Sequence, residues 1–270
     1  MLIDAQVAIF TYDESTSKPE LVKGATYRTS TAPIDLVVTG NTIAVADLMK
    51  SVSVVEYKRG ADGLPDTLTE IARHHSTAWG TSVAHVAEDT YLESDAEGNL
   101  LVLQRNVNGV TDEDQRKLEV ISKIRLGEMV NKIRSINVPV SSDAVVTPRA
   151  FMATVSILPL LRCNIYSCIL QVDGSIYLFA LISPKNQNLL MRLQTNLAKF
   201  ADSLGHIPFD KYRAYKAGAQ ADDEPFRFVD GELIEQFLDC TETTQEDLVE
   251  GLDVNVDEIR AMVEELRRLH

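Results

Sequence analysis

Residues Thr42–Lys58 read TIAVADLMKSVSVVEYK, and the folding of this stretch decides the rest. An apolar run ends at Asp47, which opens a polar turn, and alternation follows at Val52, Val54 and Tyr57. Apolar side chains at every second position, bounded by turn residues, predict a β-hairpin. The layout returns in TYLESDAEGNLLVLQR (Thr90–Arg105), where Asp95 opens the turn and Leu101 and Leu103 alternate. A shortened copy stands at LIDAQVAIFTY (Leu2–Tyr12). Asp4 to Asp47 is 43 residues and Asp47 to Asp95 is 48, the spacing at which four-stranded propeller blades repeat.

A fourth copy is split. DGSIYLFALI (Asp173–Ile182) starts with an Asp-Gly hairpin turn, but its partner AFMAT (Ala150–Thr154) lies seventeen residues away, across VSILPLLRCNIYSCILQ (Val155–Gln171). With these set aside the chain reads AFMATVDGSIYLFALI, and the repeat is restored. The apolar stretch Ala150–Ile182 is not a membrane span. Such a span needs about 20 predominantly apolar residues, whereas Pro159, Arg162, Asn164, Gln171 and Asp173 interrupt this one. Two readings stay open for residues 155–171. One is a loop insertion, although loops are normally polar. The other is a translated intron: seventeen codons keep the frame, and Val-Ser and Gln at its ends match splice-signal codons. On either reading Cys163 and Cys168 are neither ligands nor nucleophiles.

After Ile182 the period becomes helical. Ser183-Pro184 is an N-cap followed by proline at the first helical position. Leu189, Leu190, Leu193, Leu197, Phe200, Ala201 and Leu204 mark one face, and Gly205 ends it. A charged, glycine-containing loop spans Lys216–Glu224, and Asp230 caps a helix carrying Leu233, Ile234, Phe237 and Leu238. Thr243-x-x-Glu246 and Asn255-x-x-Glu258 resemble capping boxes. The first opens a helix with Leu248 and Val249, the second one with Ile259, Met262, Val263, Leu266 and Leu269. The predicted class is therefore mainly β followed by α: a partial β-propeller over residues 1–182 and a helical domain over 183–270.

Charge excludes some functions. The chain carries 26 Lys and Arg against 40 Asp and Glu, a net charge of -14. Ten of those fourteen negative charges fall in Asp230–His270, where thirteen acidic residues face three arginines. Such a surface repels phosphate backbones, so direct nucleic-acid binding by this segment is not expected. A DNA-reading helix would be basic at its start, where Asp253, Asp257 and Glu258 stand. Cys163, Cys168 and Cys240 form no disulfide framework, in keeping with a reducing compartment. The N-terminal residues lack the basic and small-residue features of a signal peptide. No GxSxG, phosphate loop or dinucleotide glycine pattern occurs. His74, His75 and His85 are not read as a metal set, since adjacent histidines on a strand would face opposite ways and no carboxylate or cysteine sits at ligand spacing; they are read as solvated loop histidines. The chain is expected to be non-enzymatic, with no cofactor and no metal.

Five motifs carry a resemblance: DLMKSV (Asp47–Val52), AWGTSV (Ala78–Val83), LGEMVN (Leu126–Asn131), FVDGELIEQFLD (Phe228–Asp239) and VEELRRLH (Val263–His270). Together they resemble the family of the large subunit of UV-damaged DNA-binding protein, the adaptor of type-4 cullin-RING ubiquitin ligases. The resemblance covers nearly all of the chain apart from Val155–Gln171. It implies the last blades of a third propeller, then a C-terminal helical domain, in a scaffold acting in nucleotide-excision repair and protein degradation. It also implies a nuclear and cytoplasmic location and a cleft that receives WD40-type substrate receptors. The cullin would be held by a middle propeller that this chain lacks.

By the same resemblance Leu48, Met49, Trp79, Met129 and Asn131 line the cleft. Exposed Trp and Met on strand ends offer adaptable apolar contact to an incoming helix. Core burial is the competing reading for Trp79 and Met129, and a plain strand-end role for Asn131. The superfamily also holds subunits of the spliceosome and of a pre-mRNA cleavage factor, the alternative function class. Three departures stand out. Met1 falls in mid-propeller, which implies a fragment or truncated gene model with association-prone strand edges. Tyr212 replaces a usual Trp, and YLESDAEGNLLVL is unusually acidic.

Overall fold

A computed structural model describes residues 5–14, 18–61, 64–139, 141, 144–157, 172–200, 207–215 and 223–269, with the backbone alone at 155–157 and 172–173. Asp4, Cys163, Cys168, Leu204, Gly205, most of the 155–171 segment and most of the Lys216–Glu224 loop lie outside the described residues. Among the described residues no helix is long and apolar enough to cross a membrane.

Strands β1 (Gln6–Asp13) and β2 (Glu20–Arg28) form an antiparallel pair. Strands β3 (Pro33–Thr39), β4 (Thr42–Asp47), β5 (Ser51–Lys58) and β6 (Thr67–Arg73) then form a four-stranded sheet in chain order. So do β7 (Gly80–Ala87), β8 (Thr90–Asp95), β9 (Asn99–Arg105) and, after the short helix α1 (Asp112–Gln115), β10 (Leu118–Arg125). In the last sheet β12 (Val146–Ile157) pairs with β11 (Met129–Ser135), β13 (Val172–Asp173) and β14 (Ile176–Ile182).

The two repeats seen in the sequence are the central hairpins of their sheets. β4 and β5 pair in one register from Thr42↔Glu56 to Asp47↔Ser51, and β8 and β9 follow from Thr90↔Gln104 to Ser94↔Leu100. Apart from Thr42, β4 and β8 are buried along their whole length. A strand covered on both faces loses the in-out polarity alternation that a half-buried strand keeps. The covering of one face is visible where Val7 of the first pair packs with Ile43, Val45 and Val55, backed by Ile9, Tyr27 and Leu68.

The broken repeat is joined at its base. The Thr154 amide donates to the Ser175 carbonyl at 3.0 Å, and the Ser175 amide donates to Thr154 Oγ1 at 3.1 Å. β12 and β13 continue that register at Ser156↔Asp173 and Ile157↔Val172. Asp173 therefore does not open the hairpin turn, as its Asp-Gly dipeptide predicts. It sits on the stem, paired with Ser156.

By packing, the chain divides into two compact units. The first comprises Met1–Ile121, Leu126–Arg134 and Met152–Ile176; the second comprises Ser122–Arg125, Ser135–Phe151 and Tyr177–His270. The second holds α2 (Pro184–Phe200), α3 (Phe209–Tyr212), α4 (Gly231–Glu235), a 3-10 turn (Gln236–Asp239), α5 (Glu242–Val249) and α6 (Val256–Arg267). Leu193, Leu197, Leu233, Ile234, Phe237, Leu248, Ile259 and Val263 form its core, which are the positions that helical periodicity selects.

Asp230 and Asn255 cap as predicted, accepting from the amides of Glu232 and Glu258. The cap of α5 is Thr241, whose side chain accepts from the Thr244 amide, and not Thr243. Thr241 has the extended backbone a cap requires, which places Thr243 inside the first turn. Asp230 has a second role: Arg213 is buried against it, with Nε and Nη2 both 2.7 Å from Oδ2. The Arg213 guanidinium also lies 4.8 Å from the centre of the Tyr212 ring, so Tyr212 supplies it an aromatic face.

A candidate partner-binding surface at the sheet corners

The surface starts from Asp47. Its carboxylate accepts from the amide of Thr31 at 2.7 Å, the Thr31 hydroxyl, and the amide of Met49 at 3.1 Å. The Leu48 amide bonds to the Ala32 carbonyl at 2.8 Å. A buried carboxylate that satisfies the turn amides leaves the turn side chains facing out. Leu48 is half-buried and Met49 is 43% exposed.

Asp95 repeats the arrangement one sheet later. It accepts from the amides of Glu97 at 3.0 Å and Asn99 at 2.9 Å, and the Ala96 amide bonds to the Trp79 carbonyl at 2.9 Å. Trp79 thus occupies the position of Ala32, and Ala96 and Glu97 those of Leu48 and Met49. The Trp79 backbone is held while its side chain is 57% exposed, which removes the core reading for the chain's only tryptophan.

The corners abut. A Cβ at Gly80 would lie 3.0 Å from the Asp47 carbonyl oxygen, so Trp79-Gly80 rests on the preceding turn. Gly98 has a φ of +79°, and a Cβ there would lie 3.0 Å from the Glu128 carbonyl oxygen, beside Met129. Leu48-Met49, Trp79, Ala96-Glu97 and Glu128-Met129 therefore follow one another along a single run of corners. Met129 is half-buried and Asn131 exposed on β11. Ala96, Glu97 and Glu128 escaped the sequence reading, although aligning the second Asp-opened turn on the first identifies Ala96 and Glu97.

Polar clusters stiffen the frame behind this run. Asp35 of β3 accepts from Ser82 Oγ at 2.5 Å, from the Val83 amide at 3.2 Å and from Lys132 Nζ, while the Ile133 amide donates to Ser82 Oγ at 3.0 Å. This ties the first strands of three sheets together. Burial raises the Asp35 carboxyl, but the bonds from Lys132, Ser82 and Val83 outweigh it and hold it below the ordinary range.

Ser51 Oγ lies 2.7 and 2.6 Å from the two oxygens of Glu93 and 2.7 Å from His74 Nδ1. Ser51 Oγ donates to Glu93, and the His74 ring closes the set on the other side of the hydroxyl. His74 is therefore not solvated: its side chain is 13% exposed, while His75 faces solvent and His85 packs edge-on to Tyr91. Ser51 and Glu93 are fully buried, so this Ser-His-Glu set is a lock between two sheets and lacks the access a nucleophile needs. Two residues further along β8, burial pushes the Asp95 carboxyl up to about 6, with Glu93 adding to the rise against the lowering effect of the Asn99 and Glu97 bonds.

Repeated four-stranded sheets, with Met49 and Trp79 exposed at their corners and helices after them, define a sheet-repeat protein. The chain belongs to the family of the CPSF A subunit region, which matches residues 3–239. It is 31% identical over 275 residues to DNA damage-binding protein 1 of Schizosaccharomyces pombe, covering 99% of this chain and 23% of that relative. DNA damage-binding protein 1b of Arabidopsis thaliana is 32% identical over 234 residues, covering 86% of this chain and 20% of that relative. The Drosophila melanogaster DNA damage-binding protein 1 is 28% identical over 267 residues, covering 95% of this chain and 22% of that relative. The chain thus spans about a fifth of the length of the curated relatives it matches.

Proposed function

We propose that this chain is the receptor-docking part of a larger non-enzymatic adaptor, which brings WD40-type substrate receptors to a cullin-RING ubiquitin ligase in DNA repair and protein degradation. Its sheets are the closing blades of a third propeller, up to residue 182, and residues 183–270 are the C-terminal helical domain. The observation that carries the reading is the run of corners in which Met49 and Trp79 stand exposed on hydrogen-bonded turns, with Met129 next in line. Large apolar side chains on a rigid frame lose little entropy on contact, which is what a docking hot spot requires. Leu48 and Met49 supply adaptable surface, Trp79 the aromatic anchor, and Asn131 a polar partner for the end of an incoming helix. The cullin is engaged through another propeller of the longer protein, which works in the nucleus and the cytoplasm.

The test is affinity capture with the full-length gene product carrying Trp79→Ala or Met49→Glu. Recovery of cullin and WD40 receptors by the unaltered protein, reduced at least about tenfold in either variant, supports the reading. Recovery of spliceosomal or pre-mRNA cleavage subunits instead assigns the chain to the RNA-processing branch. Receptor recovery unchanged in both folded variants removes the site.

A further inference from the structure

In the second unit, a cavity of about 330 Å³ lies between α6 and the 3-10 turn, lined by Leu238, Arg260, Glu264, Arg267 and Arg268. Its charge is anomalous. Asp230–His270 holds thirteen carboxylates and no lysine, and its only three arginines all line this cavity. Cations near a helix C-terminus offset its dipole, which accounts for Arg267 and Arg268, while Arg260, in the second turn of α6, pairs with Asp257 one turn earlier at 3.2 Å. Arg260 is held in place by a buried support: Nη2 donates to Gln245 Oε1 at 2.7 Å, and Gln245 Nε2 is anchored on the Phe237 carbonyl at 2.8 Å. Among the described residues Arg267 has no ion pair, and Arg268 has only an exposed contact with Glu264 at 3.8 Å. Leu238, packed against the helical core, supplies an apolar wall.

We propose that this cavity is a docking site for an acidic protein segment that presents one apolar side chain to Leu238 and carboxylates to Arg260, Arg267 and Arg268. The guanidinium fork matches a carboxylate in shape as well as charge. A nucleic-acid strand, long and charged along its length, would run from the cavity onto the surrounding carboxylates and be repelled. A short peptide can end before it meets them.

The test uses the whole chain and a fluorescein-labelled peptide, Glu-Asp-Leu-Glu-Asp, read by anisotropy. Saturable binding is expected that weakens by about tenfold or more in Arg267→Glu/Arg268→Glu, and by a smaller factor in the milder Arg267→Gln/Arg268→Gln. Replacing the acids of the peptide by amides, or its Leu by Ser, should each weaken binding several-fold. No binding at millimolar peptide, binding indifferent to both double variants, or equal binding of the Ser peptide overturns the proposal. So does a single-stranded oligonucleotide of equal charge that binds as tightly.

Discussion

Thr154 and Ser175 are 21 positions apart, yet they close one hairpin through reciprocal hydrogen bonds of 3.0 and 3.1 Å. Set aside Val155–Gln171 and the spacing becomes four, as between Asp47 and Ser51. Deleting residues 155–171 should therefore leave the β12–β14 hairpin in register, with Val172-Asp173-Gly174 as its turn. Shortening the closed loop should raise stability by roughly 1–2 kcal/mol. Chemical denaturation of both forms measures this; a deletion variant that loses cooperative unfolding would show that the inserted residues belong to the fold.

Gly98 is required where β8 turns into β9. Its φ is +79°, and a Cβ added there would lie 3.0 Å from the Glu128 carbonyl oxygen, so a side chain would be strained in its backbone and would push on the neighbouring corner. Gly98→Ala should cost about 1–3 kcal/mol, followed through the fluorescence of Trp79, the only tryptophan. Wild-type stability in this variant would mean that the two corners do not touch.

Asp230 links a helix cap to a buried ion pair. Asp230→Ala removes the two 2.7 Å bonds to the buried Arg213 guanidinium, leaves the longer contact with Glu232 at 3.5 Å, and should cost about 3 kcal/mol, read from the helical circular dichroism signal during urea unfolding. Adding Arg213→Met should recover part of that loss, since the weakly compensated buried charge goes with it. A double variant no better than the single one would place the cost in the lost cap.

Asp95 makes stability depend on pH with an unusual sign. Its folded value of about 6 lies above the ordinary carboxylate value near 3.8. The folded state therefore holds the proton more tightly than the unfolded one. The resulting stabilisation is full below about pH 4 and is lost as pH rises through about 6, at most on the order of 3 kcal/mol. Asp95→Asn should flatten the stability profile across that window. An unchanged slope between pH 4 and 6 would show that another group titrates there.

The Ser51–His74–Glu93 lock shows why part of the site was illegible in the sequence. His74 and Glu93 lie 23 and 42 positions from Ser51, and no local pattern marks the three as partners. His74 beside His75 reads as a solvated loop residue, and only packing decides that one of the two is covered. The turns were more legible. A turn opened by Asp and closed four residues later is a local motif that marks Leu48 and Met49 as turn residues, while their place at a docking surface was implied only by the resemblance. That Trp79 is exposed required the neighbouring turn, which holds its backbone at the surface.

Alternation, turn residues and helical spacing are short-range properties. They were enough to define the hairpins of β4–β5 and β8–β9, the change to helices after Ile182 and the caps at Asp230 and Asn255. The abutting corners, the polar locks and the closure of Thr154 on Ser175 are long-range properties. They depend on which distant strands and helices share a contact, and burial and hydrogen-bond pairing set those contacts only when the chain is packed.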